Sequence, residues 1–121
     1  MDKDQALYSF WSGFNLPAYD ETDVPDDAEM PYITYSVTTD KWDSVVNLTA
    51  SLWYYSTKWS DISQKKEDIA QYIGDGKVIK LDNGYLWLVQ GSPFAQRMAD
   101  ETDTNIRRIY LNLQAEFLTA Y

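Results

Sequence analysis

The side chains with the clearest capacity for chemistry are six carboxylates gathered between residues 20 and 29. They are Asp20, Glu21, Asp23, Asp26, Asp27 and Glu29. Hard divalent cations take several oxygen ligands, so a metal site is one hypothesis for this acidic segment. The segment lacks the ordered spacing and the glycine of a calcium-binding loop, and Pro25 interrupts it. The sequence therefore favours a solvated acidic loop over a metal site.

The residue types that most often carry catalysis are absent. The chain has no histidine and no cysteine, which excludes Ser-His-Asp triads, thiolate zinc sites and cysteine nucleophiles. Ser92, in Gly91-Ser92-Pro93-Phe94-Ala95, lacks the second glycine of a nucleophile elbow and has no histidine to activate it. The spacing of the acidic residues identifies no pair of carboxylates for general acid–base catalysis. We therefore expect no enzyme activity, no cofactor and no bound metal.

Charge is distributed unevenly along the chain, whose net charge is −9. Residues 1–40 contain nine acids and one base, whereas the remaining residues contain ten acids and nine bases. Such a field repels nucleic-acid phosphates and anionic membrane surfaces. We expect neither tight DNA binding nor membrane binding. With no membrane-length apolar run and no targeting segment, an intracellular protein is expected.

Size and periodicity predict one domain over residues 1–121. Helices are predicted at 3–14 and 60–73, the second capped by Ser60 and ended by Gly74. Strands are predicted at 32–39, 45–57, 77–81, 85–90 and 106–118. Asp82-Asn83-Gly84 marks a hairpin, 40–44 a turn, and 15–31 and 92–104 loops. The predicted fold class is α+β, with an antiparallel sheet of four to five strands and two helices on one face. A mixed sheet remains an alternative.

Candidate partner-binding residues stand out by type, because 16% of the chain is aromatic. Tryptophan, tyrosine, methionine and arginine are enriched at protein interfaces. The candidates are Trp53, Tyr55, Trp59, Phe94, Arg97, Met98, Arg107 and Arg108. Each has an alternative role within one subunit. The aromatic residues can fill the core, the 94–98 loop can fold back on it, and the two last arginines can flank a strand instead of pairing with a neighbour's acidic segment.

Several stretches resemble the tail terminator, or tail completion and head–tail joining, proteins of long-tailed bacteriophages and prophages. They include Phe10-Trp-Ser-Gly-Phe-Asn-Leu-Pro-Ala-Tyr-Asp, Leu48-Thr-Ala-Ser-Leu-Trp-Tyr, Gly84-Tyr-Leu-Trp-Leu, Gly91-Ser-Pro-Phe-Ala-Gln-Arg-Met and Glu116-Phe-Leu-Thr-Ala-Tyr. The likeness spans nearly the whole chain.

The resemblance implies a structural protein of the virion neck or tail, assembled in the host bacterial cytoplasm. Such proteins form a ring, commonly a hexamer, that caps the tail tube and ends its polymerisation. The implied partners are further copies of the chain, the tail-tube protein and the head-completion or connector protein. No catalytic residue carries over. The acidic segment would face the channel and repel DNA, which passes as cargo.

Two other functions remain as alternatives at this point. One is a small monomeric protein-binding regulatory domain, which the same aromatic side chains would serve. The other is an aspartate-dependent metal nuclease, which would need a basic DNA-binding face that ten bases against nineteen acids do not supply.

Overall fold

The computed structural model describes residues 1–40 and 44–119, and these form two helices and six strands. The elements are α1 Lys3–Ser12, β1 Ala18–Asp20, β2 Tyr32–Tyr35, β3 Ser44–Tyr55, α2 Ser60–Ile73, β4 Lys77–Leu81, β5 Gly84–Met98 and β6 Ile106–Thr119. The α+β class and the two helices are confirmed. The described residues contain six strands, more than the four to five predicted.

The strands form one sheet in the order β1-β2-β3-β6-β5-β4. β1 and β2 run parallel, and every other neighbouring pair is antiparallel. The sheet is therefore mixed. The long strands β3, β6 and β5 lie side by side at its centre, with β6 paired to β3 from Tyr55↔Ile106 to Ser44↔Phe117.

Both helices pack on the same face of the sheet, as predicted. Ala6, Leu7, Phe10 and Trp11 of α1 are buried, as are Ile62, Ile69 and Ile73 of α2. Together with the inward side chains of the strands, they form one continuous core. Those strand residues are Ala18, Ile33, Tyr35, Leu48, Ala50, Leu52, Leu81, Leu86, Leu88, Ile109, Leu111, Leu113, Ala115 and Phe117. In the part of the chain that the structure describes, no helix is long and apolar enough to cross a membrane.

The helix ends show how the sequence sets their limits. Asp2 caps α1 in a capping box, in which its carboxylate accepts from the Gln5 amide while the Gln5 side chain accepts from the Asp2 amide. The prediction that Ser60 caps α2 is wrong. Trp59 already has helical dihedral angles and occupies the cap position without a side-chain hydrogen bond, so Ser60 lies inside the first turn. Gly74 ends α2 with φ +54°, as expected.

The predicted loop at 15–31 contains β1, a strand that the sequence analysis missed. Three residues, Ala18–Asp20, pair in parallel with β2, and the Ile33 amide donates to the Pro17 carbonyl at 2.8 Å. Three residues are too few to show a period of two, and the flanking prolines and acids indicate a loop. The tertiary contact with β2 creates the strand.

The predicted loop at 92–104 is wrong for its first half. β5 continues to Met98, so Phe94, Arg97 and Met98 lie on a strand. The register with β6 shifts between Gln90↔Leu113 and Ala95↔Leu111, so residues 91–94 bulge out opposite Asn112. Gly-Ser-Pro resembles a strand end in sequence, but pairing resumes beyond it because β6 is long enough to continue the ladder.

The first predicted strand, 32–39, is shorter than expected and ends at Tyr35. Val37, which alternation along 32–39 would place on the same face as Ile33 and Tyr35, is exposed. The middle of the predicted turn at 40–44 lies outside the described residues.

The hairpin at Asp82-Asn83-Gly84 is confirmed, with Leu81 paired to Gly84. Gly84 has φ +147°, and a Cβ placed there would lie 1.9 Å from the Leu118 carbonyl oxygen. Only glycine satisfies both conditions. The turn thus brings β5 close against the end of β6.

Candidate protein-binding surface

The face of the sheet opposite the helices, here called the open face, is covered by neither helix. Alternation along the strands sends every second side chain to this face. Its described strand residues include only three charged side chains, Lys80, Arg108 and Glu116. Aromatic, β-branched and amide side chains make up most of the rest. Interface cores have this composition, with few charges and many rings.

An aromatic ladder crosses one end of the open face. It runs over four neighbouring strands and consists of Tyr19, Tyr32, Trp53, Arg108 and Tyr110. Ring centroids lie 5.7 Å apart for Tyr19–Tyr32 and 6.4 Å apart for Tyr32–Trp53. The Arg108 guanidinium carbon lies 4.6 Å from the Trp53 ring and 5.7 Å from the Tyr110 ring. These spacings fit ring–ring and cation–π attraction.

Hydrogen bonds fix the ladder in place. The Trp53 Nε1–H donates to Thr34 Oγ1 at 2.9 Å, and Arg108 Nε donates to Ser51 Oγ at 3.0 Å. Both acceptors belong to buried residues of the same face. Because these bonds restrict the indole and the guanidinium, the ladder presents preorganised side chains to a partner and loses little rotamer entropy on binding.

The other end of the open face carries an exposed apolar row. Val45, Trp87 and Val78 lie in one cross-strand line, with Glu116 of β6 between Val45 and Trp87. The three apolar side chains are 60%, 41% and 60% exposed. Tyr85, beside them, is 48% exposed. A row of apolar side chains in water favours association, because covering it removes apolar surface from solvent.

A second cluster, the arginine–tryptophan cluster, lies on the helix side of the sheet. The guanidinium carbons of Arg97 and Arg107 lie 4.6 and 5.2 Å from the Trp59 ring. Arg107 donates to the carbonyls of Thr104 and Thr57 at 2.6 and 2.9 Å, which ties the start of β6 to the turn before α2. Its Nε is buried without a hydrogen-bond partner among the described residues. The ring contacts and the two carbonyl hydrogen bonds of Arg107 hold this corner of the fold together, whereas its unpaired Nε–H costs free energy there.

The eight predicted partner-binding residues therefore divide into two groups. The register places Trp53, Tyr55, Met98 and Arg108 on the open face, where Tyr55 is 61% exposed. Trp59, Arg97 and Arg107 form the cluster on the helix side, and Phe94, in the bulge, packs partly against the core. The residues that sequence reasoning missed are Tyr19, Tyr32, Val45, Val78, Trp87 and Tyr110. Alternation within 77–81 and 85–90 was the available signal for Val78 and Trp87.

The acidic segment follows β1 at one edge of the sheet. Asp20 is tied to its own turn, since its carboxylate accepts from the Thr22 amide at 2.9 Å and from the Thr22 hydroxyl at 2.8 Å. The backbone hydrogen bond, followed by the hydroxyl bond, lowers the pKa of Asp20 below its ordinary value. The other five carboxylates, those of Glu21, Asp23, Asp26, Asp27 and Glu29, are exposed.

Metal ligation finds no support in the part of the chain that the structure describes. Nowhere in it do three carboxylates come together in a way that could hold a metal ion. The cleft of about 370 Å³ beside the N-terminus is lined by Asp2, Asp4 and Asp82. Asp4 lies in the first turn of α1, whereas Asp2 caps that helix and Asp82 pairs with the terminal amine. The carboxylates of Asp2 and Asp82 are committed to structural contacts.

Comparison with known proteins finds a likeness among solved structures. No family model matches the chain, and no curated protein matches it. Among solved structures, a chain in the "Virion of native gene transfer agent (GTA) particle" superposes with a TM-score of 0.61 at 16% sequence identity. The match covers 93% of this chain and 91% of that chain. The two chains share a fold over nearly their whole lengths.

Proposed function

We propose that this protein is a structural component of a virion, located in its neck or tail. The observation that carries the proposal is the fold shared with a chain of a gene transfer agent virion over 93% of this chain. The location in the neck or tail rests on the sequence resemblance to tail terminator proteins, which is a separate line of support. A structural role also fits a sequence that contains no histidine and no cysteine.

Within the virion, the chain forms a ring, commonly of six copies, that caps the tail tube and ends its polymerisation. The ring then helps to join the tail to the head through the head-completion or connector protein. A closed ring requires two different patches on each subunit, because each copy contacts the next head to tail. The open face and the arginine–tryptophan cluster lie on opposite sides of the sheet and supply distinct surfaces.

The open face is the proposed docking surface for neighbouring virion proteins, the tail-tube protein among them. Its rings, its fixed Arg108 and its exposed apolar row match the composition of energetic hot spots. The acidic segment is the proposed channel surface. Exposed carboxylates repel DNA phosphates, so DNA would pass through the ring without being held.

Deletion of the gene and complementation test this function. Electron micrographs of particles without the protein should show tails of uncontrolled length or tails separated from heads. Wild-type protein supplied from a plasmid should restore joined particles. Particles of normal tail length and normal infectivity or transfer in the deletion strain would contradict the proposal and favour the regulatory alternative.

A further inference from the structure

Two cross-strand rows on the open face lie at equal distances from Asn112, the central open-face residue of β6. Each row takes one residue from β3, one from β6 and one from β5. Four positions toward the C-terminus of β6, the acidic row contains Val45, Glu116 and Trp87. Four positions toward its N-terminus, the basic row contains Trp53, Arg108 and Met98.

We propose that a second copy of this chain binds the open face, face to face, about a two-fold axis. The axis lies in the interface plane, perpendicular to β6, and passes over Asn112. This operation reverses the strand direction but keeps each strand over its own counterpart. It places the acidic row of one copy over the basic row of the other. The facing pairs are Glu116 with Arg108, Val45 with Trp53, and Trp87 with Met98.

Charge selects this arrangement over the other two-fold packing of the same faces. With the axis parallel to β6, Arg108 would lie over Arg108 of the second copy and Glu116 over Glu116. Like charges facing each other in an interface cost free energy. The arrangement with the axis perpendicular to β6 instead gives two opposite-charge contacts. Each row also pairs apolar with apolar on β3 and on β5. Two-fold interfaces have this self-complementarity.

The electrostatics of the whole chain favour the open face for self-association. Two copies that each carry −9 repel one another, and the repulsion is smallest where charges are few and balanced. The open face meets that condition, with Lys80, Arg108 and Glu116 as its charged strand residues among those described. Facing sheets pack about 10 Å apart, a gap that tryptophan, arginine, methionine and glutamate side chains fill from both sides.

This pairing does not depend on the proposed virion function, but it has a consequence for it. The second copy and a neighbouring virion protein would use the same side chains, so the two contacts exclude each other. The free protein would then be a dimer whose docking surface is covered, and assembly would require exchange of one partner for the other.

Sedimentation velocity on the purified full-length chain tests the pairing. A monomer is 14.1 kDa, and the wild type should shift to twice that mass as its concentration rises to about 100 μM, a range that detects affinities of biological dimers. Arg108→Glu and Glu116→Arg each create two like-charge contacts, so each should weaken dimerisation at least about tenfold. Lys58→Glu repeats the charge change of Arg108→Glu at an exposed residue outside the strands, and it should leave dimerisation unchanged.

Mixing the two variants gives the sharper result. In a heterodimer of the Arg108→Glu chain with the Glu116→Arg chain, both contacts regain opposite charges, as they do in the double variant with itself. Equimolar mixing should therefore restore dimers to within about threefold of wild type. A folding defect in either variant would not be repaired by mixing, and circular dichroism of each variant checks this directly.

Three outcomes would overturn the pairing. The first is a wild type that stays monomeric to about 100 μM, with the open face binding only tail-tube protein. The second is a dimer whose affinity neither charge reversal changes. The third is a dimer that the reversals weaken but that neither mixing nor the double variant restores. The deletion experiment on particles is separate, so failure of the pairing and failure of the virion function are distinguishable.

Discussion

Single residues of this chain show how backbone conformation and packing choose a side chain. At Gly84, a positive φ coincides with the close approach of β6. Gly13 differs, because its backbone is not in the left-handed region and a Cβ there would meet its nearest atom, the Phe10 carbonyl oxygen, at 3.4 Å. The two glycines therefore form a natural test and control.

Gly84→Ala should destabilise the fold by about 3 kcal/mol or more, because the new methyl group collides with backbone that cannot move away cheaply. Gly13→Ala should change the free energy of unfolding by less than about 1 kcal/mol. Urea unfolding followed by tryptophan fluorescence measures both. Equal losses for the two variants would contradict the account of the β4–β5 turn.

Two aspartates make stability depend on acidity. The turn hydrogen bonds of Asp20, and those that Asp100 accepts from Thr102 and Asp103, lower the pKa of each carboxyl in the folded state. A lowered folded pKa means that the stabilisation is present above the unfolded value, near 3.8, and is lost as pH falls through the folded pKa.

The melting temperature should therefore fall as pH is lowered from about 5 toward 2, a range that spans an ordinary aspartate pKa. Asp20→Asn and Asp100→Asn should each reduce that fall, since an amide does not titrate. Glu21→Gln, at an exposed neighbouring carboxylate, serves as the control. An Asp20→Asn chain with the full wild-type pH dependence would show that these turns contribute nothing to it.

At the scale of elements, long periodic segments were predictable and short or interrupted ones were not. The stripe Ile62, Ile69 and Ile73 gave α2, and strict alternation gave β6 almost to its ends. The prediction missed β1 because its three residues form a strand only by pairing with β2, and no local pattern shows that pairing. The predicted strand at 85–90 ends too early because a bulge and a strand end use the same residue types.

The candidate surface was predictable in part, for a related reason. Residue type identified Trp53, Tyr55 and Arg108, since these types are common at interfaces. Type could not separate Arg97 and Arg107 from them. Only the register places those two beside Trp59 on the helix side, with Arg108 on the opposite face. The ladder spans four strands that are distant in sequence, so its continuity is a property of the sheet.

The apolar row makes a prediction at the scale of the sheet face. Replacing Val45 and Val78 together by threonine keeps β-branching and size but removes exposed apolar surface. Each site is 60% exposed, so the free energy of unfolding should fall by less than about 1 kcal/mol. The yield of joined particles in a complemented deletion strain should fall several-fold. Unchanged yield would remove the row from the proposed docking surface.

Leu88→Ala provides the contrasting case, because Leu88 follows Trp87 on β5 and faces the core. Leu88 is fully buried, so truncation should cost about 2–5 kcal/mol of stability. Its effect on particle yield should follow the loss of folded protein. The two variants together separate a surface that binds from a core that folds.

At the scale of the whole molecule, one sheet divides the protein into a buried side that folds it and an open side suited to partners. The helices and the inward side chains fill one core, while charge is concentrated in the acidic segment at an edge. The open face is left nearly neutral and rich in rings. This distribution suits a subunit that meets several neighbours in an assembly, as the proposed virion role requires.

The most direct measurement is the location of the protein in purified particles. An epitope tag on the chain, labelled with gold-conjugated antibody and viewed by electron microscopy, should place it at the junction of tail and head. Quantitative mass spectrometry should give about six copies per particle if the proposed ring is a single hexamer. Particles that contain no copies, while the protein remains free in the cell lysate, would contradict the central claim.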